Sequence, residues 1–243
     1  MRPAPYFELG DVPERVGLSE IFHYMGLYRL WATLLEENPT LMIDNCASGG
    51  RRIDIETMRL SVPLWRSDYQ CSANFDVDVC QSQMPGFSSY LPYHSTGMGR
   101  IVDLYRARSC YSSGLGTNFW FSDKENFENT TAEEIRLLRQ FYREEKRCRP
   151  YFSEDFYPLS GVGIDKTAWC AFAFDRPEQG DGLLMVFRRE ESYLTDAVYR
   201  LPHLSGTYLL EDFDGGETEV TMPDIPVHIE KPYTAKLFIY HKK

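Results

Sequence analysis

Positive charge is scarce in this 243-residue sequence: 26 lysines and arginines stand against 36 aspartates and glutamates, a formal net charge of −10, with a pI near 5.0. That balance argues against nucleic acid or an anionic membrane surface as a partner, since both select basic patches. It fits a neutral substrate such as a sugar. No apolar run approaches the ~18 residues of a membrane span, so no membrane helix is expected. The six cysteines (Cys46, Cys71, Cys80, Cys110, Cys148, Cys170) contain no C-x-x-C pair, and no secretory leader precedes them. They read as reduced thiols of a cytoplasmic protein. Cys71, Cys80 and His94 lack the spacing of a recognised ligand set, so neither a metal nor another cofactor is expected. Asn129-Thr130-Thr131 is a formal glycosylation sequon, read here as a helix start. There are no internal repeats and no low-complexity segments.

What is present is an ordinary globular balance of 43% hydrophobic and 26% charged residues. The length suffices to bury a sizeable core in one or two domains. Aromatics reach 14%, a level used by carbohydrate sites and by thick enzyme cores alike.

The informative stretch runs from Leu41 to Asp68, LMIDNCASGGRRIDIETMRLSVPLWRSD. An apolar run, Leu41 to Ile43, ends in small and polar residues from Asp44 to Gly50. A short run with helical spacing follows (Ile53, Thr57, Leu60), then a buried-strand signal, Val62 to Trp65, ending in Arg66, Ser67 and Asp68. This is a strand–loop–helix–strand unit with polar residues at the carboxyl end of each strand. Parallel α/β proteins build their sites at those ends. Gly49 and Gly50 let the loop bend and a backbone approach a ligand; Trp65 offers a flat partner for the apolar face of a sugar ring. Singly, the glycines read as a turn, Trp65 as core and Asp68 as a helix cap. In register at two strand ends, they point to a site.

IDNCASGGRRID followed by PLWRSD resembles the family 36 glycoside hydrolases, the α-galactosidases with raffinose synthases among their relatives. The resemblance extends at lower specificity from about Pro3 to the C-terminus. It implies that a C-[AS]-[GS]-G-G segment and a W-x-S-D segment come from neighbouring strands of one (β/α)8 barrel. It also implies that Asp68 is the catalytic acid/base and that Cys46 and Gly49 border the galactose subsite, with Trp65 and Arg66 shaping the pocket. The implied reaction is retaining hydrolysis of α-galactosides, in which one carboxylate forms a covalent intermediate and a second, about 5–5.5 Å away, gives and then takes a proton. An acid at a strand end beside a tryptophan can have its pKa raised by desolvation, which suits the second role. The family's nucleophile, an aspartate in a segment like R-Q-D-F-N or K-W-D-x-N, has no counterpart in these residues. Asp44, on a neighbouring strand about 4.8 Å away, is a candidate to stand near Asp68, although the resemblance gives that acidic position a supporting role at the substrate.

Along the rest of the chain, residues 1–17 read as an irregular loop. Ser19 is the expected N-cap of a long helix through Glu37, with Ile21, Tyr24, Tyr28, Trp31 and Leu35 at near-helical spacing. Residues 69–79 read as a polar loop, 79–84 as a weak helix, and Ser89 to His94 as a short strand. His94 could touch a sugar hydroxyl but reads first as a hydrogen-bonded structural histidine. A helix is expected at about 101–112 and a fourth strand from Thr117 to Phe121. Thr130-x-x-Glu133 is read as a capping box opening a helix to Lys146, with Ile135, Leu138 and Tyr142 on one face. From Trp169 onward the period becomes that of strands: WCAFAF, GLLMVFRR, TDAVYRL, GTYLLEDF, EVTM, IPVHI and AKLFIYHK, separated by Pro, Gly and Asp turns. That is an antiparallel sandwich pattern.

The expected fold class is therefore α/β plus all-β: the C-terminal half of a (β/α)8 (TIM) barrel over residues 1–155, then an antiparallel β-sandwich domain over 156–243. About four strand–helix units precede the sandwich, whereas a closed barrel needs eight units and about 250 residues of its own. The expected function is that of the acid/base-carrying part of an α-galactosidase without its nucleophile segment, inactive alone. The alternative is a non-catalytic carbohydrate-binding or interaction protein derived from such an enzyme. An open half-barrel exposes strand edges and an apolar face, so a homo-oligomer or a missing N-terminal half is the expected partner.

Overall fold

The computed structural model describes residues 9–63, 65–72, 75–99, 103–116 and 128–243, in two units, residues 1–63 and 64–243. The fourth strand expected at Thr117 to Phe121 lies outside the described residues. Among them, no helix is long and apolar enough to cross a membrane.

In the first unit, helix α1 (Leu18–Glu37) follows Gly17, whose φ of 92° is left-handed. Ser19 is not its cap. Asp11 accepts from the backbone N–H groups of Gly17 and Ser19 instead, so a carboxylate from outside the helix meets its free amides. Strand β1 (Asp44–Asn45) and strand β2 (Val62–Pro63) pair in parallel, Asp44 opposite Val62 and Asn45 opposite Pro63. The crossover between them is helix α2 (Ile55–Leu60), which Asp54 caps, so Ile53 of the expected helical run lies outside it. The Asp54 carboxylate accepts from the Thr57 backbone N–H at 2.9 Å and its hydroxyl at 2.6 Å, and Tyr28 reaches the same Thr57 hydroxyl from α1 at 3.1 Å.

In the second unit, helix α3 (Val77–Ser88) starts at Asp76 and passes through Pro85. Proline removes one intrahelical donor, and the Gln81 carbonyl takes the Cys170 thiol at 3.9 Å. The helix thus overruns the expected 79–84. The strand expected at Ser89 to His94 is displaced: Pro92 breaks that run, and strand β3 begins only at Ser95 (Ser95–Gly97), parallel to strand β4 (Gly114–Gly116). Helix α4 (Leu104–Ser109) is capped by Asp103. Helix α5 (Ala132–Cys148) carries its capping box one residue later than expected, Thr131 with Glu134; Glu133 instead pairs with Arg136. Its buried face also turns, to Phe141, Glu144, Glu145 and Cys148, leaving Ile135 and Tyr142 exposed.

All seven expected β runs form strands. Strands β5 (Asp155–Pro158), β6 (Cys170–Arg176), β7 (Asp181–Arg188), β9 (Gly206–Asp212), β10 (Glu217–Met222) and β12 (Thr234–Lys242) make one antiparallel sheet in the order β10-β9-β12-β7-β6-β5. Strands β8 (Asp196–Arg200) and β11 (Asp224–His228) form a two-stranded ribbon. The central strands are apolar on both faces because both are covered. Alternation sends Phe172, Phe174, Leu183, Met185, Phe187, Leu237 and Ile239 into a core shared with α3, α4 and α5. Ala171, Ala173, Leu184, Val186, Phe238 and Tyr240 enter a second core with the ribbon. Six-stranded sheet, helices and ribbon are thus three layers.

One buried charge fastens the helical layer to the sheet. Arg108, 1% exposed, donates twice to Glu144 of α5 (2.9 and 2.9 Å), twice to Asp214 between β9 and β10 (2.6 and 3.2 Å), and to the Ala235 carbonyl of β12 at 2.7 Å. Breaking such a pair from one side strands a buried charge, so Arg108→Met should cost about 3–5 kcal/mol in urea unfolding. The Asp214 carboxyl is desolvated, yet Arg108 and Lys236 hold it below the usual carboxylate range. Its contribution is therefore complete above the unfolded value of about 3.9 and is lost as pH falls through the lower folded value. Asp214→Asn should flatten the acid limb of a stability–pH curve; an unchanged limb would remove Asp214 from this role.

Candidate functional site

The loop leaving β1 bends through two left-handed residues, Ser48 at φ 55° and Gly49 at φ 75°. Glycine takes this conformation freely, while a serine there is uncommon and strained. Gly49 is buried; Cys46 beside it is an exposed free thiol. Asp44 is exposed, and partial desolvation raises its pKa. Sequence reasoning missed Asn45. Its buried amide donates to the Ser61 hydroxyl at 2.7 Å and to the Val62 carbonyl at 3.3 Å, locking β1 to β2. An asparagine at a strand end is the signal that could have found it.

In the second unit, the residues after β2 run beside β3: the Arg66 backbone N–H donates to the Ser95 carbonyl at 3.0 Å. Trp65 is 8% exposed and lies against two strand glycines. A Cβ on Gly97 would stand 2.7 Å from its ring, and one on Gly116 would collide with it outright. Those glycines make room for the indole, which here is a packed ring rather than an open platform. Arg66 is buried, donating to Gln83 at 3.1 Å and to the Cys80 carbonyl at 3.2 Å. It also meets His94 Nδ1 at 3.2 Å, while His94 Nε2 meets the Ser88 hydroxyl at 2.9 Å. Facing a guanidinium, Nδ1 accepts and Nε2 donates, so His94 is neutral. Burial, and then Arg66, hold its pKa well below the ordinary value.

Asp68 opens a short 3-10 turn, Asp68–Cys71, capped by the Ser67 hydroxyl, which accepts from the Tyr69 N–H at 3.1 Å. Asp68 is exposed. Two residues on, Gln70 is fully buried, donating to Gln83 at 2.6 Å. Asp68 is thus an exposed carboxylate on a turn whose flanks are anchored to α3. Among the described residues, no three His, Cys, Asp or Glu side chains are grouped to hold a metal ion.

No known family profile matches the chain. It is 24% identical over 213 residues to "Alpha-galactosidase 1" of Pediococcus pentosaceus, a match covering 82% of this chain and 26% of that one. The family 36 α-galactosidase AgaA of Geobacillus stearothermophilus superposes with a TM-score of 0.72 at 18% identity, covering 96% of this chain and 33% of that one. A form of AgaA in complex with raffinose gives 0.71 at 17%, covering 95% and 33%. The likeness shows the fold. The chain spans about a quarter of the curated relative and a third of these structures; among the described residues the parallel strand pairs do not close a barrel.

The glycine–tryptophan contact is directly testable. Gly97→Ala forces a methyl into the Trp65 ring and should cost about 1–3 kcal/mol in urea unfolding. Gly86→Ala, in α3 with nothing within 4 Å, should be neutral or gain about 0.5–1 kcal/mol. Equal effects at both glycines would contradict this packing.

Proposed function

We propose that this chain is the acid/base-carrying part of a retaining glycoside hydrolase that acts on α-galactosides, with residues 1–155 as part of a (β/α)8 barrel and 156–243 as its β-sandwich domain. Asp68 is the acid/base. Cys46 and Gly49 contact the galactose, with Asp44 supporting them, and Trp65 and Arg66 shape the pocket. The observation that carries this reading is the parallel register of β1 and β2, from whose carboxyl ends the CASGG and WRSD segments leave. That placement is where (β/α)8 enzymes build active sites. The likeness in fold to α-galactosidase structures, one of them holding raffinose, supports the substrate class.

The covalent step needs a second carboxylate, and we assign it to a segment outside these 243 residues. One further observation favours a partner, whether that segment or a second copy: Ile21, Phe22 and Met25 of α1 are 54–61% exposed, an apolar face that favours docking. The same face would serve a non-catalytic interaction protein, which the assay below separates.

The chain alone should not turn over p-nitrophenyl α-galactoside. Expressed together with the N-terminal part of a family 36 α-galactosidase it should, and Asp68→Asn in that assembly should lower the rate by about 10²–10⁴-fold. Azide added to an Asp68→Gly assembly should restore turnover of this activated substrate, because its leaving group needs no acid and azide needs no base. Hydrolysis by the chain alone would contradict the assignment and make Asp44 the first residue to mutate. An assembly indifferent to Asp68→Asn would remove Asp68 from catalysis.

A further inference from the structure

The apolar face of a sugar calls for a flat aromatic partner, and Trp65 is packed against Gly97 and Gly116. Tyr69 is open. It follows Asp68 on the same 3-10 turn and is 43% exposed. Consecutive Cα atoms stand about 3.8 Å apart, so a sugar bonded to the Asp68 carboxyl is within reach of the Tyr69 side chain.

The Tyr69 ring is held in place by the protein itself. Its hydroxyl accepts from the Asp76 backbone N–H at 3.1 Å. Its ring meets the Phe75 ring edge to face, with centroids 6.1 Å apart and planes at 66°. Phe75 is buried in turn: the Arg106 guanidinium lies 4.4 Å from its ring centroid, and Arg106 Nη1 donates to its carbonyl at 3.1 Å. A ring fixed before the ligand arrives loses little freedom on binding. Polar groups stand at its outer end. The hydroxyl, accepting from Asp76, keeps its own proton to donate. The Asp76 carboxylate lies 3.7 Å from Lys166 Nζ, both side chains 39% exposed. An aromatic surface with a few polar groups around it is the make-up of a small-molecule subsite.

We propose that Tyr69 is the stacking platform for the sugar on the leaving-group side of Asp68, with the Asp76 and Lys166 side chains bonding that sugar's hydroxyls. A general acid protonates the oxygen that the two sugars share. With the galactose assigned to Cys46 and Gly49, the residue beside the acid serves the second sugar. The choice of side rests on the hydrolase reading above; the platform itself does not.

The test is saturation-transfer NMR on the full chain with raffinose. Saturating the aromatic protons should transfer to the protons of the glucosyl unit. The transfer should fall several-fold in Tyr69→Ala and persist in Tyr69→Phe, which keeps the ring, and in Asp68→Asn. It should also persist in Tyr193→Ala, which removes a ring 81% exposed in the loop before β8. No transfer in the wild-type chain, transfer unchanged in Tyr69→Ala, or transfer lowered equally by Tyr193→Ala would overturn the proposal. In the assembly that hydrolyses α-galactosides, Tyr69→Ala should raise the KM for raffinose about tenfold. It should leave α-galactosyl fluoride, which carries no second sugar, unaffected; equal losses on both substrates would contradict the leaving-group assignment. An assembly without hydrolysis would refute the hydrolase reading, and the transfer experiment would still decide the role of Tyr69.

Discussion

The second unit depends on one buried guanidinium. Arg108 joins α4, α5, the turn between β9 and β10, and the start of β12 through five donor contacts. The helical layer also meets the sheet through Arg147 with Glu211 and Arg189 with Gln81, and through apolar contacts, which are adaptable in register. A buried ion pair is weak evidence for extra stability, since an apolar isostere often does as well. What the guanidinium supplies is geometry: Glu144, Asp214 and the Ala235 carbonyl must each stand where its planar fork points. The core that α3 shares with β6 and β7 is built on that fixed arrangement, and α3 in turn holds the residues flanking Asp68.

The surroundings of Asp68 divide into a rigid back and an open front. Behind it, Trp65 fills the space left by Gly97 and Gly116, Arg66, Gln70 and His94 are buried, and half-buried Gln83 accepts from Arg66 and Gln70. In front, the carboxylate is exposed. The catalytic role proposed for Asp68 would need rotamers locked by the residues behind it, and the residues flanking it are anchored to α3. In the first unit the CASGG loop gets its shape from two left-handed residues and from the Asn45 clamp on β2.

Much of this was legible in the sequence. The seven strands after Trp169 were readable because runs such as GLLMVFRR are bounded by turn residues, and the parallel unit around Asp68 was readable from strand-like runs ending in polar clusters. Other features needed three dimensions. Glu144 and Glu145 look like the solvated face of a helix, yet they are buried against Arg108 and Arg149, which turns α5 about its axis. Thr130–Glu133 and Thr131–Glu134 are equally good capping boxes on paper, and the chain takes the second. SYLPYH has strand composition, but α3 extends through Pro85 and leaves the pairing to Ser95. The cap that Asp11 supplies from outside the helix and the contact of Gln70 with Cys80 follow no recognised local pattern.

The proposed reading is α-galactoside hydrolysis, and its central claim is that the loop after β1 touches the sugar. Cys46 allows that claim to be measured, because its thiol is exposed and free. In the assembly that hydrolyses α-galactosides, the alkylation rate of Cys46 should be followed by peptide mass spectrometry with raffinose and, separately, with maltose. The account predicts that raffinose slows alkylation of Cys46 several-fold and maltose does not. A Cys46 rate unchanged by raffinose, or lowered equally by both sugars, would contradict it.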